Sequence, residues 1–479
     1  MSRILIIAFM LSAALTSYGQ SQEELANRAV FNKLEFFINT KNTDSIYNLA
    51  SDNFKSKIGA DQFGFTMNNL YQLGKIKNVE VLDFKQQSGV YLLTYPTAFI
   101  KLTLSVDPST LKYEGILFSP GEKPTAKPVE KKEVVSVVEK ISPVDFFVDS
   151  VAKPFVKQGN AQSLAIGVFH DGQYNKYFYG EAIKGSGVAP TENTIYEIGS
   201  ITKVFTAVLL ADLVTKGTIK LDDPITAYLP DSLASNPDLQ KITFKSLSNH
   251  SSGLPRLANN MDKVPGFTMK DPYANYDRKA LFSYLKNYKA TREVGETYEY
   301  SNLGVGLLGE LISIIAKKPF TQQLREVVLT PLQMSSTTDR PDPKNTNFIK
   351  VYNASGIEVP TWNFQSMFAA VGLKSTVRDM MLFAVEQFKM PQNGLQAAMG
   401  LTREFTLATP NNTDIGLGWH MNMVDQGIFL WHNGGTGGSR SFLGISPDSK
   451  TAVVVLSNAE LAVDNVGASI LKKLMESKN

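Results

Sequence analysis

The chain has 479 residues, of which 43% are hydrophobic, and a formal net charge of +3. This length exceeds that of one ordinary domain and the hydrophobic content excludes a disordered chain, so we expect two folded units. The nearly balanced charge does not favour nucleic acid as a partner, and the absence of cysteine excludes disulfides and thiol nucleophiles. Because there are only four histidines and no H-E-x-x-H motif, we predict no metal site and no cofactor.

The first 19 residues have the pattern of a secretory signal. Arg3 is followed by a short apolar run at residues 4–15 and a cleavage region at residues 16–19. The run is well short of the ~20 apolar residues that span a bilayer, which favours a cleaved signal over an N-terminal anchor. We therefore predict a periplasmic or secreted protein with no transmembrane anchor in the mature chain.

Residues 20–118 combine helical and strand patterns, which predict a small α+β domain with an antiparallel sheet. The helical patterns come first, at 23–37, 44–50 and 61–73, and the strand patterns follow at 79–84, 90–95, 98–106 and 112–118. The order resembles the small NTF2/cystatin-like domains that precede the catalytic domain in exported bacterial hydrolases. The segment has no cluster of titratable residues, so we interpret it as a docking or packing module.

A linker rich in proline, lysine and glutamate is predicted at residues 119–142, ahead of a second domain at 143–479. That domain has strand patterns near both ends and a mostly helical middle, which predicts one antiparallel sheet built from both ends and flanked by helices. The strand patterns are at 164–169, 174–179, 427–431, 441–445 and 452–457, with helices at 144–157 and 463–475.

The sequence Ser200-Ile201-Thr202-Lys203 begins an apolar stretch that Gly217 ends. The spacing S-x-x-K also occurs at four other serines, but the apolar stretch after Ser200 predicts a buried helix. A serine at the first turn of a helix receives the positive end of the helix dipole, and Lys203 lies one turn further on the same face. Burial would lower the pKa of Lys203, as a proton acceptor requires.

A second candidate, Tyr300-Ser301-Asn302, precedes the apolar stretch at 303–315. A similar sequence that starts at Tyr273 lies in a polar segment and is the weaker candidate. Tyrosine with its ordinary pKa of about 10 is a poor base, but a nearby ammonium such as that of Lys203 would lower this pKa. Asn302 would hold the lysine and a substrate carbonyl.

The third candidate, His432-Asn433-Gly434-Gly435, lies between two predicted strands. The glycines would let a substrate approach the backbone closely. The N–H of Gly435 would then join the N–H of Ser200 in stabilising an oxyanion.

In this order and setting the three motifs resemble the serine β-lactamase/penicillin-binding superfamily. The likeness is to its class C β-lactamase-like branch, which includes D-alanyl-D-alanine carboxypeptidases, D-aminopeptidases and family VIII-type esterases. It covers residues 143–479 and implies an α+β fold, with an antiparallel sheet flanked by helices and an all-helical lobe. It also implies that Ser200 is the acylated nucleophile, Lys203 its activating partner and Tyr300 the proton shuttle. The implied substrate-binding and oxyanion residues are Asn302, His432, Gly434 and Gly435.

His432 departs from the family pattern, since it stands where β-lactamases and many penicillin-binding proteins have the lysine of K-[ST]-G. That lysine favours a substrate carboxylate, whereas histidine with an ordinary pKa of about 6.5 is mostly neutral at pH 7. We therefore expect a serine hydrolase of a D-amino-acid peptide, including peptidoglycan-derived peptides, or of a small ester. We also hypothesise that protonation of His432 below about pH 6.5 assists binding of a carboxylate. The alternatives are a true β-lactamase and a non-catalytic module that binds cell-wall peptide.

Overall fold

The computed structural model describes residues 22–121, 134–158, 161–340, 342, 344–409 and 413–476. The predicted signal at 1–19 and the centre of the predicted linker lie outside these residues. The described residues form two compact units, 22–121 and 134–476, each with its own hydrophobic core. Within the described ranges, no helix has the length and apolar character needed to cross a bilayer.

Helices precede the sheet in the first unit, as the sequence predicts. The helices are α1 (Gln22–Asn39), α2 (Thr43–Asn48), α3 (Asp52–Lys57) and α4 (Ala60–Tyr71). They are followed by an antiparallel sheet in the order β1 (Asn78–Lys85), β2 (Ser88–Thr94), β3 (Phe99–Asp107) and β4 (Lys112–Pro120). The sequence pattern missed α3, which is too short to show a helical period, and strand β4 continues through Pro120. The resemblance to NTF2/cystatin-like domains stays a prediction.

Helix α1 packs on the sheet of this unit through an aromatic pair and a buried amide. The rings of Phe31 and Tyr91 stack with their centroids 3.8 Å apart. The side chain of Asn27 is fully buried, and its amide donates to the carbonyls of Gln87 and Leu104 at 2.8 and 2.7 Å. Its own carbonyl accepts from the Tyr91 hydroxyl at 2.7 Å. This satisfied network fixes the helix on the sheet.

A seven-stranded antiparallel sheet is the frame of the second unit. The strands of this unit are β5 (Ser163–His170), β6 (Gln173–Gly180), β7 (Tyr196–Glu197), β8 (Val351–Tyr352), β9 (Glu358–Val359), β10 (Lys374–Ser375), β11 (Asp414–Ile415), β12 (His420–Val424), β13 (Gly427–Gly435), β14 (Arg440–Ser446) and β15 (Thr451–Ser457). The large sheet has the order β11-β12-β13-β14-β15-β5-β6. Because β15 pairs with β5, both ends of the unit meet in one sheet, which confirms the prediction.

Helices cover both faces of this sheet and form a lobe beside it. They are α5 (Pro143–Val156), α6 (Thr202–Thr215), α7 (Asp231–Ala234), α8 (Phe244–Ser248), α9 (Arg278–Lys286), α10 (Asn302–Ala316), α11 (Phe320–Leu324), α12 (Phe368–Val371), α13 (Val377–Glu386), α14 (Gly394–Thr402) and α15 (Asp464–Glu476). Helices α5 and α15 pack on β6, β14 and β15. Helix α13 packs on β5 and β15, and the buried helices α6 and α10 lie at the centre of the helical lobe.

Strand β13 is longer than the sequence predicts. It pairs with β14 as far as Gly435, which is opposite Arg440. The motif from His432 to Gly435 therefore lies inside the strand and not between two strands. Glycine and asparagine are depleted in strands, so the pattern indicated an early end, but the backbone hydrogen bonds to β14 outweigh that preference.

Candidate active site

Ser200 lies on a single 3₁₀ turn, Gly199–Ile201, directly ahead of helix α6. The hydroxyl of Thr202 donates to the Gly199 carbonyl at 2.6 Å and accepts from the N–H of Leu373 at 3.1 Å, which ties the turn to the neighbouring chain. Gly199 has φ +52°, a left-handed conformation that favours glycine. The structure thus places Ser200 on a fixed turn at the start of a buried helix.

The amine of Lys203 is enclosed, because the residue is only 1% exposed. Its Nζ lies 3.2 Å from Ser200 Oγ, 2.8 Å from Asn302 Oδ1 and 2.8 Å from the carbonyl oxygen of Ala370. Burial, assisted by the positive charge of Arg256, holds the pKa of Lys203 well below 10.5. The predicted burial of this lysine is confirmed.

These three contacts determine what a neutral lysine amine can do. The oxygens of Asn302 and Ala370 only accept hydrogen bonds, so they occupy both N–H groups of the amine. The third contact joins Nζ to Ser200 Oγ, so a deprotonated amine presents its lone pair to this hydroxyl, and an ammonium donates to it. The amine is therefore positioned to take the proton of Ser200.

The Tyr300 hydroxyl is hydrogen-bonded to the side chain of Ser200. Lys203 Nζ lies 4.7 Å from the centroid of the Tyr300 ring, and the Arg256 guanidinium carbon lies 4.9 Å from it. We expected a positive Lys203 to lower the pKa of this tyrosine. Instead, burial raises it, and the opposing effects of Ser200 and Arg256 are smaller. The expectation was wrong because the effect of burial on the tyrosine outweighs that of the positive charge nearby.

His432 is buried, with 1% of its surface exposed. Its Nδ1 lies 2.6 Å from the carbonyl oxygen of Asn433, and its ring centroid is 5.1 Å from that of His420 and 6.3 Å from that of Tyr300. Burial, together with the nearby His420 and Lys203, holds the pKa of His432 well below 6.5. The hypothesis of protonation near pH 6.5 is therefore not supported, because the ring is neutral at that pH.

Two further histidines lie in this region, and sequence reasoning did not assign them a place in the site. The His250 ring lies 4.4 Å from the Tyr300 ring, and its Nδ1 accepts from the N–H of Ser301 at 3.1 Å. His420 Nε2 lies 3.0 Å from the Tyr298 hydroxyl, and burial lowers its pKa to about 4. Their surroundings come from several segments of the chain, so no local signal marks them. His250 therefore packs on Tyr300, and His420 packs on Tyr298.

The end of β13 lies directly against the nucleophile turn. A Cβ added to Gly199 would be 2.5 Å from the Gly435 nitrogen, and one added to Gly434 would overlap the Ile198 carbonyl. The Ser441 hydroxyl donates to the same carbonyl at 2.8 Å. The backbone of Gly435 is thus packed against that of Gly199, the residue that precedes Ser200.

Substitution of Gly434 by alanine is expected to lower kcat for ester hydrolysis by about 10- to 100-fold, because the new methyl group would displace β13 from Ile198. Gly435→Ala is the matched control. There the three atoms nearest to the methyl group, at 3.0–3.3 Å, belong to the Arg440 side chain and not to the backbone, so we expect a smaller loss than for Gly434→Ala. Steady-state kinetics of both variants test the packing. Equal losses in the two variants would contradict it.

Aromatic side chains line the side of the site next to Asn302. The amide of Asn302 donates to the Tyr273 hydroxyl at 3.4 Å. The Tyr273 ring lies 5.4 Å from Trp362 and 5.5 Å from Phe364. Tyr273, the weaker candidate in the sequence, is thus one of the aromatic side chains on this side of the site. It does not contact Ser200 in the structure.

A buried carboxylate anchors the segment that carries Trp362. Glu197 accepts from the N–H of Trp362 and from the Thr436 hydroxyl, both at 2.7 Å. Glu197 is 4% exposed, and Lys374 is the nearby positive charge that opposes the effect of its burial. Glu197 thereby connects the segment that carries Trp362 with Thr436, in the turn after β13. Sequence reasoning missed this residue, since it belongs to none of the three motifs.

In the described part of the chain, no three His, Asp or Glu side chains are grouped so that they could hold a metal ion.

The chain matches the family model described as "Beta-lactamase" over residues 148–472. It is 28% identical over 353 residues to the D-alanyl-D-alanine-carboxypeptidase/endopeptidase AmpH of Escherichia coli strain K12, covering 70% of this chain and 87% of that protein. It is also 28% identical over 278 residues to a β-lactamase of Pseudomonas fluorescens, covering 57% of this chain and 73% of that one.

Among solved structures, a β-lactamase/D-alanine carboxypeptidase from Pseudomonas syringae superposes with a TM-score of 0.62 and 22% identity. The superposition covers 70% of this chain and 99% of that one, and it supports the fold. Because the family model spans more than half of the chain, the chain belongs to the β-lactamase family and is a serine hydrolase.

Proposed function

We propose that this chain is an exported hydrolase that cleaves an amide or ester bond through an acyl-enzyme on Ser200. The observation that carries the proposal is the Lys203 amine, which is buried, has a lowered pKa and is held beside Ser200 by Asn302 and Ala370. A lysine whose pKa is lowered and that lies at this distance can act as the general base that a serine nucleophile needs.

In acylation, Ser200 Oγ attacks the substrate carbonyl and its proton passes to Lys203. The N–H groups of Ser200 and Gly435 stabilise the negative charge that develops on the carbonyl oxygen. The hydrogen bond between Tyr300 and Ser200 gives the proton a path to the leaving group. Because burial raises the pKa of Tyr300, this hydroxyl remains protonated and suits the role of acid.

In deacylation, the same groups act in the reverse direction. A water molecule takes the place of the leaving group and attacks the acyl carbonyl. It gives one proton to Tyr300 as Tyr300 passes its own proton to Lys203. The bond between Ser200 Oγ and the acyl carbon then breaks, and the proton returns to the serine. The acid of the first step becomes part of the base of the second, as reversal of the same chemistry requires.

The proposed substrate is a D-amino-acid peptide, such as a peptidoglycan-derived one, or a small ester. The E. coli relative named as a carboxypeptidase/endopeptidase supports the peptide, since the match covers most of that protein. The neutral His432 disfavours efficient penicillin hydrolysis, because it supplies no charge for the carboxylate of a penicillin. The intact set of Ser200, Lys203 and Tyr300 disfavours a module that only binds.

Export rests on the signal pattern at residues 1–19. The N-terminal residue of the protein recovered from the periplasm or medium tests it, and an uncleaved Met1 would contradict it.

Tyr300→Phe is expected to lower kcat by about 10²- to 10³-fold while the fold is retained. Phenylalanine keeps the contact of the ring with His250 but removes the hydroxyl that reaches Ser200. Kinetics with p-nitrophenyl acetate measure the effect, and the circular dichroism spectrum checks the fold. Tyr298→Phe is the matched control, because that hydroxyl contacts His420 and not Ser200. Unchanged kcat in Tyr300→Phe would overturn the proton path.

A further inference from the structure

Arg256 is fixed to the segment that carries Tyr300 and Asn302. Its backbone carbonyl accepts from the N–H groups of Asn302 and Leu303 at 3.1 and 3.2 Å, where helix α10 begins. The carbonyl of the preceding residue, Pro255, accepts from the Ser301 hydroxyl at 2.7 Å. The backbone from which the Arg256 side chain extends therefore has a defined position relative to the reacting groups.

The guanidinium of Arg256 lies against the Tyr300 ring, with its central carbon 4.9 Å from the ring centroid. The side chain is exposed and, among the described residues, the guanidinium makes no ion pair or hydrogen bond. Two other arginines nearby in sequence or space are neutralised, since Arg292 pairs with Glu299 and Arg440 pairs with Glu460. Arg256 therefore keeps an uncompensated positive charge.

The other basic groups around Tyr300 are buried, which disfavours their charged forms. Burial lowers the pKa of Lys203, of His250 and of His432. Arginine retains its charge over the whole working range of an enzyme. The permanent positive charge of this site is consequently at Arg256, on the Tyr300 side, and not at the strand position of His432.

We propose that Arg256 binds a carboxylate of the substrate and so selects anionic over neutral substrates. This inference rests on the proposed function and adds the chemical class of the substrate. A planar guanidinium binds a carboxylate through two parallel hydrogen bonds, and stacking on an aromatic ring orders it for that contact. Its exposure leaves these N–H groups open to a substrate.

The test compares three esters of similar size in wild type and Arg256→Gln. They are p-nitrophenyl acetate, which is neutral, mono-4-nitrophenyl glutarate, with the carboxylate on the acyl side, and 3-acetoxybenzoate, with the carboxylate on the leaving group. For one of the two charged esters, we expect Arg256→Gln to lower the ratio of its kcat/KM to that of the neutral ester by about 10- to 100-fold. This is the size expected for loss of a charge-assisted hydrogen bond. The fall should come from a higher KM for the charged ester.

Two control variants separate charge from position. Arg256→Lys retains the charge and should recover part of the preference. Arg378→Gln removes an exposed arginine on helix α13, which packs on β5 and β15, and should leave the preference unchanged.

An equal fall for the charged and neutral esters would overturn the inference, because Arg256 would then act through Lys203 or Tyr300. An unchanged preference for both charged esters would also overturn it. Failure of wild type to cleave any of the three would instead contradict the proposed function. In that case calorimetry tests the inference. The inference requires that N-acetyl-D-alanine bind more tightly than its amide, and that Arg256→Gln remove this difference in affinity.

Discussion

Ser200→Ala is expected to lower kcat/KM for ester hydrolysis by at least about 10³-fold, since removal of a nucleophile leaves only the contributions of binding and the oxyanion hole. The hydroxyl is the group that Lys203 and Tyr300 both reach. Its loss removes the atom that forms the acyl bond and leaves the surrounding side chains in place. Stopped-flow and steady-state kinetics with p-nitrophenyl acetate measure the effect.

The chain offers its own control for this substitution. Ser150 and Lys153 repeat the S-x-x-K spacing on helix α5, where the Ser150 hydroxyl donates to the carbonyl of Phe147 at 2.6 Å. Ser150 is exposed, so Ser150→Ala should leave activity unchanged. Activity retained in folded Ser200→Ala would rule out the proposed nucleophile.

Lys203→Met is expected to lower kcat/KM by about 10³- to 10⁴-fold, the upper range for loss of a general base. Methionine has nearly the shape of the lysine stem but cannot take the proton of Ser200. The oxygens of Asn302 and Ala370 lose their donor, so thermal unfolding of the variant is measured alongside its kinetics.

The pH profile gives a second measurement of the same role. Because burial lowers the pKa of Lys203, the amine is neutral above that pKa and takes a proton as the pH falls through it. In wild type, kcat/KM should therefore decrease as the pH falls through this pKa, which gives the profile an acid limb. The residual activity of Lys203→Met should lack this limb. Lys153→Met, in the second copy of the spacing, is the control. A variant at position 203 that retains both the rate and the acid limb would show that another group is the base.

The sequence was sufficient to predict the sheet built from both ends of the second unit and the place of Ser200 before a buried helix. Those features depend on local patterns, since a strand or a helix shows its period over neighbouring residues. The burial of Lys203 followed from the same reasoning, because the stretch after Ser200 is apolar almost all round.

The electrostatics of the site could not be predicted in this way. The raised pKa of Tyr300 and the lowered pKa of His432 depend on burial by segments that are distant in sequence. The contact of Lys203 with the carbonyl of Ala370 had no signal, because every residue has a backbone carbonyl. Arg256 was also missed, since its proximity to Tyr300 arises only from the packing of its loop on helix α10.

The central claim, covalent acylation of Ser200, is tested most directly by intact mass spectrometry of the mature protein. Wild type and Ser200→Ala are incubated separately with a fluorophosphonate, p-nitrophenyl acetate and a fluorescent penicillin, and a circular dichroism spectrum shows that both are folded. We predict a single adduct on wild type with the fluorophosphonate or the ester and none on Ser200→Ala. No adduct on folded wild type with any of the three, or the same adduct on Ser200→Ala, would contradict the claim.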